Sequence, residues 1–326
     1  MVTGGEALGK SVDVGGVSIF YTEQGSGPPL LFIHGLGESS FAWRLVIAEL
    51  PGFRCLALDL KGFGKSDKPL DDRYTVTDQA GLVAQFIRTL DLRDLLVIGH
   101  SLGGGVALAV ARQLDDSGEG RLRGLVLLDS IAYPQKLPRY VRVLKTPILR
   151  DLVFRFVPPE ANVRAVLREV YHRHEAIRDE QVAAQVEDSL RPGATHALVE
   201  TVKSLVPKNA EELITGYSRI GVPTLIIWGE HDPVIPPELG RRLSKDIPGA
   251  ELRVLPDCGH VPHHESPSEV AGLLREFLQT PEVAAPGRGA TFGRARAIPQ
   301  CESVPRSPRK DWRQQEERPA RVANSR

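Results

Sequence analysis

The sequence predicts an α/β fold with a mostly parallel sheet and helices on both of its faces. Short, continuous apolar runs such as residues 30–33 and 95–98 are typical of strands buried on both faces. Segments with helical apolar spacing alternate with these runs, which favours a parallel sheet. A third observation is the turn at residues 99–103, which joins an apolar run directly to a helical segment.

The first half of the chain begins with a predicted β-hairpin. Residues 12–22 alternate between apolar and polar side chains around the turn Gly15-Gly16. The elements that follow are a strand at 30–33, a helix at 38–50, a strand at 54–58, a helix capped by Thr77 or Asp78, the strand at 95–98 and the helix after the turn.

The second half contains a change of pattern. A strand at 122–128 ends at Asp129, and residues 131–221 then show only amphipathic segments interrupted by prolines. Strand and helix patterns return with strands at 222–228 and 250–255 and helices at 237–247 and 267–278. The predicted domains are a core at 12–130, a helical lid at 131–221, a second part of the core at 222–280, and a tail at 281–326.

Composition places few constraints on partners. The 326 residues are 41% hydrophobic and 25% charged with a formal net charge of zero, so we expect neither a nucleic-acid nor a membrane partner. The sequence has no apolar run of about 20 residues and no N-terminal secretory pattern, and a cytoplasmic location is the expectation. Three widely spaced cysteines predict reduced thiols rather than a disulfide framework or a zinc site.

The tail differs in composition from the rest of the chain. Residues 281–326 are rich in Pro, Gly and Ser and contain ten Lys/Arg against five Asp/Glu. Such a segment is expected to be disordered, and the sequence does not identify a partner for it.

The turn Gly99-His100-Ser101-Leu102-Gly103 has the pattern of a nucleophile elbow. Its glycines permit the close approach of strand and helix, and the helix N-terminus after Ser101 favours negative charge in a transition state. A serine hydroxyl needs a base within hydrogen-bond reach, and the base needs an orienting acid. Ser101 is therefore the predicted nucleophile.

The acid and the base are expected after Ser101 along the chain, each on a loop that follows a strand. Asp232 occupies such a loop after the strand at 222–228 and is the predicted acid. Glu230 is the second candidate, and Asp129 is a minor alternative because it ends the strand at 122–128.

His260 follows the last predicted strand and is the predicted general base. His263 and His264 lie close by in sequence, and histidines next to a helix are more often surface or capping residues. The backbone N–H groups of Leu36 and Leu102 are the predicted oxyanion-hole donors. His34 precedes Leu36 in the loop after the strand at 30–33, and it is interpreted as a residue that braces the backbone.

Two other patterns are interpreted as structural. Residues 59–66 lack the spacing of a phosphate-binding loop and predict a bracing turn. His172 and His174 lie two positions apart, so on a helix their rings would point to different faces and would not form a metal pair.

Together these motifs resemble the α/β-hydrolase superfamily over about residues 12–280. The resemblance implies an eight-stranded sheet, a helical lid inserted after the sixth strand, and a Ser101–Asp232–His260 triad without metal or organic cofactor. The group with lids includes esterases, lactonases and carbon–carbon bond hydrolases. Its epoxide and haloalkane members carry Asp as nucleophile, and Ser101 argues against both.

The resulting functional expectation is a carboxylesterase-like hydrolase that cleaves a small ester, lactone or related acyl substrate through an acyl-enzyme. Acyl transfer or C–C bond cleavage at the same triad is the alternative within enzymes. A ligand-binding protein that keeps the fold without catalysis is the alternative from another class.

Overall fold

The computed structural model describes residues 8–205 and 210–284. Its centre is one eight-stranded sheet of order β1-β2-β4-β3-β5-β6-β7-β8. The strands are β1 (Leu8–Val14), β2 (Val17–Gln24), β3 (Pro29–Ile33), β4 (Arg54–Leu58), β5 (Leu95–His100), β6 (Leu122–Leu128), β7 (Thr224–Gly229) and β8 (Glu251–Leu255). The pairs β1–β2 and β2–β4 are antiparallel, and the other neighbours are parallel. The predicted mostly parallel, eight-stranded sheet is confirmed.

Helices account for the remaining regular structure. They are α1 (Arg44–Ala48), α2 (Val76–Thr89), α3 (Leu102–Asp116), α4 (Arg139–Lys145), α5 (Pro147–Phe156), α6 (Pro159–Val170), α7 (Asp179–Ser189), α8 (Ala194–Lys203), α9 (Ala210–Gly216), α10 (Pro237–Asp246), α11 (Pro262–Glu265), α12 (Pro267–Gln279) and α13 (Pro281–Ala284). Every helix in the described ranges is too short or too polar to cross a bilayer.

The hydrophobic core forms two clusters, one on each face of the sheet. In β3, Leu31 and Ile33 belong to the cluster beneath α2 and α3, whereas Leu30 and Phe32 belong to the cluster beneath α1 and α12. Successive residues of a strand point to opposite faces, so a strand covered on both faces is apolar at every position. The continuous apolar runs of the sequence have this origin.

Helices α4 to α9 all lie between β6 and β7, in the segment predicted to form a lid. Within the described part of residues 131–221, no strand is present. Val170, at the end of α6, accepts a hydrogen bond from the backbone N–H of His260 at 3.0 Å. The segment is therefore attached directly to the loop that carries the predicted base.

The N-terminal half differs from the sequence expectation at two helices. The predicted helix at 38–50 is a 3-10 turn at Ser40–Trp43 followed by the short α1. Helix α2 is capped by Thr75, not by Thr77 or Asp78. Asp78 instead completes a capping box, because its carboxylate accepts the Thr75 N–H at 3.0 Å while its own N–H donates to Thr75 Oγ1.

The predicted tail also differs over its first residues. Pro281–Ala284 form α13, and Val283 is fully buried in the cluster beneath α12. Burial of the Val283 side chain stabilises regular structure in residues 281–284, which composition had assigned to a disordered tail. Residues 285–326 lie outside the described residues, as does Cys301. Cys55 and Cys258 are free and buried, and burial raises the pKa of the Cys55 thiol to about 12.

Candidate active site

The site begins at the turn between β5 and α3. Ser101 has φ 51° and ψ −114°, a conformation that costs a non-glycine residue conformational energy. Backbone hydrogen bonds to Leu128 O and from the Ile131 N–H, at 2.9 and 3.0 Å, hold it there. A Cβ at Gly99 would lie 2.3 Å from Gly103 O, so the tight turn requires glycine at that position. The hydroxyl is thus presented at the carboxyl edge of the sheet.

The structure brings the three predicted site residues together. His260 Nε2 lies 2.9 Å from Ser101 Oγ, and His260 Nδ1 lies 2.8 Å from Asp232 Oδ2. The side chains of His260 and Asp232 are 4% and 0% exposed. The three groups form one continuous hydrogen-bond chain in which a proton can pass from the hydroxyl to the imidazole.

Asp232 is held by its own loop. Its Oδ1 accepts the backbone N–H groups of Val234 and Ile235 at 2.7 and 2.9 Å, which leaves Oδ2 for His260. The Asp-Pro sequence therefore both makes the turn and orients the carboxylate. Glu230, the second candidate, is exposed, and its carboxylate lies 3.9 Å from the His231 ring.

Asp129, the minor alternative, lies beside the acid. Its Oδ1 accepts the Gly229 N–H at 2.9 Å, and its Oδ2 has no partner among the described residues. Ligand atoms of Asp129, Asp232 and His260 all lie within 4.8 Å of one another. Burial, and then the charge of Asp232, raise the pKa of Asp129 well above its usual range. Its surroundings therefore favour the protonated form of Asp129.

The predicted oxyanion donors border the same space. Leu36 lines a cavity together with Ser101, and Leu102 begins α3 directly after the serine. Among the described residues, neither N–H group donates to a protein oxygen. His34 braces the loop as expected, because its Nε2 accepts the Leu60 N–H at 2.9 Å and its Nδ1 donates to Gly35 O.

The turn at residues 59–66 supports the loop that contains Leu36. The Asp59 carboxylate accepts the backbone N–H groups of Ser40 and Lys65 at 2.6 and 2.7 Å. Ser66 Oγ donates to Asp59 O at 2.6 Å. These bonds confirm the interpretation of the segment as a bracing turn.

Glu265 connects the residues after α6 to the His260 loop. This residue was not identified from the sequence. The buried carboxylate accepts the Gly259 N–H through Oε1 at 2.9 Å, and the N–H groups of His172 and Arg173 through Oε2 at 3.1 and 2.7 Å. One side chain thus fixes the residue before the base and the first residues after α6. No local pattern signals this, since two of its three partners, His172 and Arg173, lie about 90 positions away in sequence.

A second missed feature is a buried cluster of Glu38, His100, His263 and His264. His100 Nε2 donates to His260 O at 2.8 Å, and His100 Nδ1 lies 3.1 Å from Glu38 Oε2. Burial opposes ionisation of Glu38, but His100 and His263 lower its pKa well below the usual range. Glu38 also accepts the Gly35 N–H at 2.9 Å, which connects the cluster to the oxyanion loop.

His263 and His264 are buried, not at the surface as the sequence suggested. Pro262 begins the short helix α11, which turns both rings inward. The His263 ring packs at a tilt against Trp43, His100 and His264 at centroid distances of 4.7, 4.3 and 4.1 Å. Burial, and then the neighbouring histidines, lower the pKa of His263 well below its usual value.

The His263 environment predicts acid-sensitive stability. A histidine whose pKa is lowered on folding contributes stability above its unfolded pKa of about 6.5, and this stability is lost as the pH falls below that value. The loss is about 1.4 kcal/mol per pH unit for each proton that only the unfolded chain binds. We expect His263→Phe to flatten the decline of the unfolding free energy between pH 6.5 and 5.5.

The measurement is urea unfolding at several pH values. The exposed His174→Phe is the matched control and should leave the slope unchanged. An equally steep decline in His263→Phe and the wild type would show that His263 does not carry the acid sensitivity.

Three groups of side chains in the described part of the chain have ligand atoms close enough to share a metal ion. Two are the buried sets Glu38–His100–His263 and Asp129–Asp232–His260, whose members already engage in the contacts given above. The third is exposed and comprises His172, His231 and Asp257. His174, which was predicted not to form a metal pair with His172, contacts Arg168 O instead. His172 lies outside helix α6.

Two cavities meet at Ser101. The larger has a volume of about 730 Å³, also contacts His260, and is lined mainly by apolar side chains of α4, α5, α6 and α8. The smaller has about 80 Å³ and extends between Ser101, α3 and Tyr217. The segment from α4 to α9 therefore borders the space above the hydroxyl, with room on two sides of a bond placed there.

A family model described as the alpha/beta hydrolase fold matches residues 28–267. This chain belongs to the alpha/beta hydrolase family. An uncharacterized protein of Mycobacterium tuberculosis is 30% identical over 286 residues, covering 80% of this chain and 78% of that protein. A 2-hydroxymuconate semialdehyde hydrolase of Pseudomonas sp. is 28% identical and covers 85% and 96% of the two chains.

Among solved structures, a membrane phospholipase A superimposes with a TM-score of 0.65 at 28% identity, covering 83% of this chain and 86% of that one. These similarities confirm the predicted fold and the resemblance to the α/β hydrolases. They also identify the chain as a hydrolase.

Proposed function

We propose that this alpha/beta hydrolase is a serine esterase for acyl substrates with a long or bulky apolar part. The observation that carries the proposal is the hydrogen-bond chain from Ser101 through His260 to Asp232 where two apolar cavities meet. The alternative of a ligand-binding protein gives no reason for a buried base at 2.9 Å from a strained serine.

The chemistry follows from these contacts. Ser101 Oγ attacks the ester carbonyl carbon while His260 Nε2 takes the hydroxyl proton. The Leu36 and Leu102 N–H groups stabilise the oxyanion, and His260 returns the proton to the departing alkoxide. Water then attacks the acyl-enzyme with His260 as base, which releases the carboxylic acid and restores Ser101. Asp232 holds the imidazole orientation and stabilises its cation throughout.

The charges near the cavities favour a neutral substrate. Among the described residues, the three arginines that line the cavities each face a carboxylate: Arg112 with Asp116, Arg139 with Glu169 and Arg150 with Asp151, at 2.7, 3.5 and 2.8 Å. Burying an anionic substrate without a free cation would be costly. The volume of about 730 Å³ lies within the range of about 300–1,000 Å³ typical of pockets for drug-sized ligands.

C–C bond hydrolysis at the same residues is the second candidate, supported by the 28% identity to the 2-hydroxymuconate semialdehyde hydrolase. A muconate carries a carboxylate, so this reaction would need one of the paired arginines to exchange its partner. Comparing turnover of 2-hydroxymuconate semialdehyde with that of neutral esters separates the two candidates.

Labelling with a fluorophosphonate probe tests the proposed function. We expect covalent modification of Ser101, located by peptide mass spectrometry, and loss of labelling in His260→Ala. On p-nitrophenyl esters, kcat/KM should rise from acetate to octanoate as the acyl chain fills the apolar cavity. A folded chain that neither reacts with the probe nor hydrolyses any ester of the series would exclude a serine esterase.

A further inference from the structure

Helix α5 carries two apolar stripes, and only one of them is explained by the cavity. Leu149, Val153 and Val157 line the large cavity and form the inner stripe. Ile148, Leu152 and Phe156 form the outer stripe, also at spacings of four residues. They are 78%, 49% and 69% exposed. The outer stripe therefore presents a continuous apolar surface to solvent.

This exposure is concentrated in one place. Six of the eight exposed large hydrophobic residues in the described ranges lie between positions 148 and 157, and α5 has no fully buried residue. Single exposed apolar side chains are ordinary on a protein surface, but a contiguous patch indicates a binding surface.

Basic residues accompany the outer stripe in sequence, on α4 and α5. Residues 139–157 contain five Lys/Arg and one Asp, although the whole chain has a formal net charge of zero. Arg142, Lys145 and Arg155 are exposed and have no carboxylate within ion-pair distance among the described residues. An apolar stripe with basic residues beside it is the pattern of a helix that lies in the plane of an anionic bilayer surface.

We propose that the outer stripe and the cations of α4 and α5 dock this protein on membranes rich in anionic phospholipids. The apolar side chains enter the acyl region of the leaflet that faces the protein, and the cations contact lipid phosphates. Because the inner stripe, which adjoins the outer stripe on α5, lines the cavity that holds Ser101, a docked α5 places this cavity near the bilayer. Delivery of lipid acyl chains to Ser101 rests on the proposed function, whereas the docking does not.

Other occupants agree less well with the charges. A second copy of the chain would bring two basic surfaces together. Residues 285–326 contain ten Lys/Arg and four Asp/Glu, so the chain's own tail has the same sign of charge as the patch. An anionic bilayer complements both the cations and the apolar stripe.

Vesicle flotation of the full chain tests the docking, with Ser101→Ala as background so that hydrolysis cannot change the lipid. We expect the protein to float with vesicles of phosphatidylcholine and phosphatidylglycerol, but not with phosphatidylcholine alone. Replacing the outer stripe (Ile148→Ser, Leu152→Ser, Phe156→Ser) should lower the partition coefficient about tenfold or more. The isolated exposed residue Leu70 supplies the matched control, Leu70→Ser, which should bind like the background protein.

A second variant separates charge from apolar contact. Replacing Arg142, Lys145 and Arg155 with glutamine should weaken binding about fivefold for each cation removed. In the Ser101 form, the outer-stripe variant should hydrolyse a soluble p-nitrophenyl ester at the wild-type rate, since these side chains do not line either cavity.

Three outcomes would overturn the docking proposal. The first is absence of binding to the anionic vesicles. The second is undiminished binding of the outer-stripe variant, which would assign the affinity to another part of the chain. The third is self-association that the outer-stripe substitutions abolish while vesicle binding persists. An inactive wild type that still binds vesicles through the outer stripe would refute the esterase and leave the docking intact.

Discussion

Replacing Ser101 with alanine should lower kcat on a p-nitrophenyl ester by about 10⁴-fold or more, because the covalent step loses its nucleophile. The remaining rate would come from the oxyanion donors and the cavity. The change removes one oxygen from a residue in a strained backbone conformation and leaves the glycine contacts of the elbow intact. We therefore expect the unfolding free energy to stay within about 1 kcal/mol of the wild type.

Ser130 provides the matched control for this substitution. It is also fully buried beside the elbow helix, and its hydroxyl is 3.4 Å from Ile131 O. Ser130→Ala should keep kcat within about threefold of the wild type, because the substitution removes only a long, weak hydrogen bond to Ile131 O. Steady-state kinetics and thermal unfolding of both variants measure kcat and stability and test this prediction. Equal activity of Ser101→Ala and the wild type would remove Ser101 from the mechanism.

Replacing Asp232 with asparagine should lower kcat by about 10⁴-fold, the second large effect. The asparagine keeps the shape and one acceptor for the Val234 and Ile235 N–H groups. Its amide nitrogen then faces His260 Nδ1 and favours the tautomer that cannot accept the serine proton. Because His260 Nδ1 is 2.8 Å from Asp232 Oδ2, the loss should appear in kcat rather than KM.

Asp129→Asn is the matched control, since it changes a second buried carboxyl next to the same histidine. A neutral Asp129 contributes no charge to the imidazole, so this variant should lose less than about tenfold in kcat. In Asp232→Ala the repulsion from Asp232 is gone, but burial, the larger cause of the raised pKa of Asp129, remains, so Asp129 should not replace the acid. The double variant should accordingly be no slower than Asp232→Ala. A larger loss from Asp129→Asn than from Asp232→Asn would make Asp129 the acid.

The elements that local sequence predicts well are those whose cause is local. The strand at 54–58 agrees with β4 at both ends because continuous apolar character follows directly from burial on two faces. The elbow at Ser101 is recognisable for the same reason, since a strained turn between a buried strand and a helix restricts the neighbouring residues to glycine. Helix boundaries are less certain: α2 is capped by Thr75 because a side-chain bond to Asp78, not composition, ends the preceding loop.

Residues that act over long sequence separations were missed. Glu265 binds backbone groups about 90 positions away, and Glu38 faces His100 across 62 positions. Sequence periodicity does not predict such contacts, because it reports local structure, and the same local elements can pack in many arrangements that keep these residues apart. His263 and His264 illustrate the consequence, since histidines are usually exposed and only α11 turns these two inward.

By itself, the sequence determined the α/β class, the order of its strands and helices, and the strained turn at Ser101, because backbone sterics and two-sided burial act within a few residues. Only the tertiary structure decided which acid faces His260, where the histidine cluster lies and which stripe of α5 remains exposed. Each of these depends on distances between segments far apart in the chain, and such distances exist only once the sheet and the helices above it have packed.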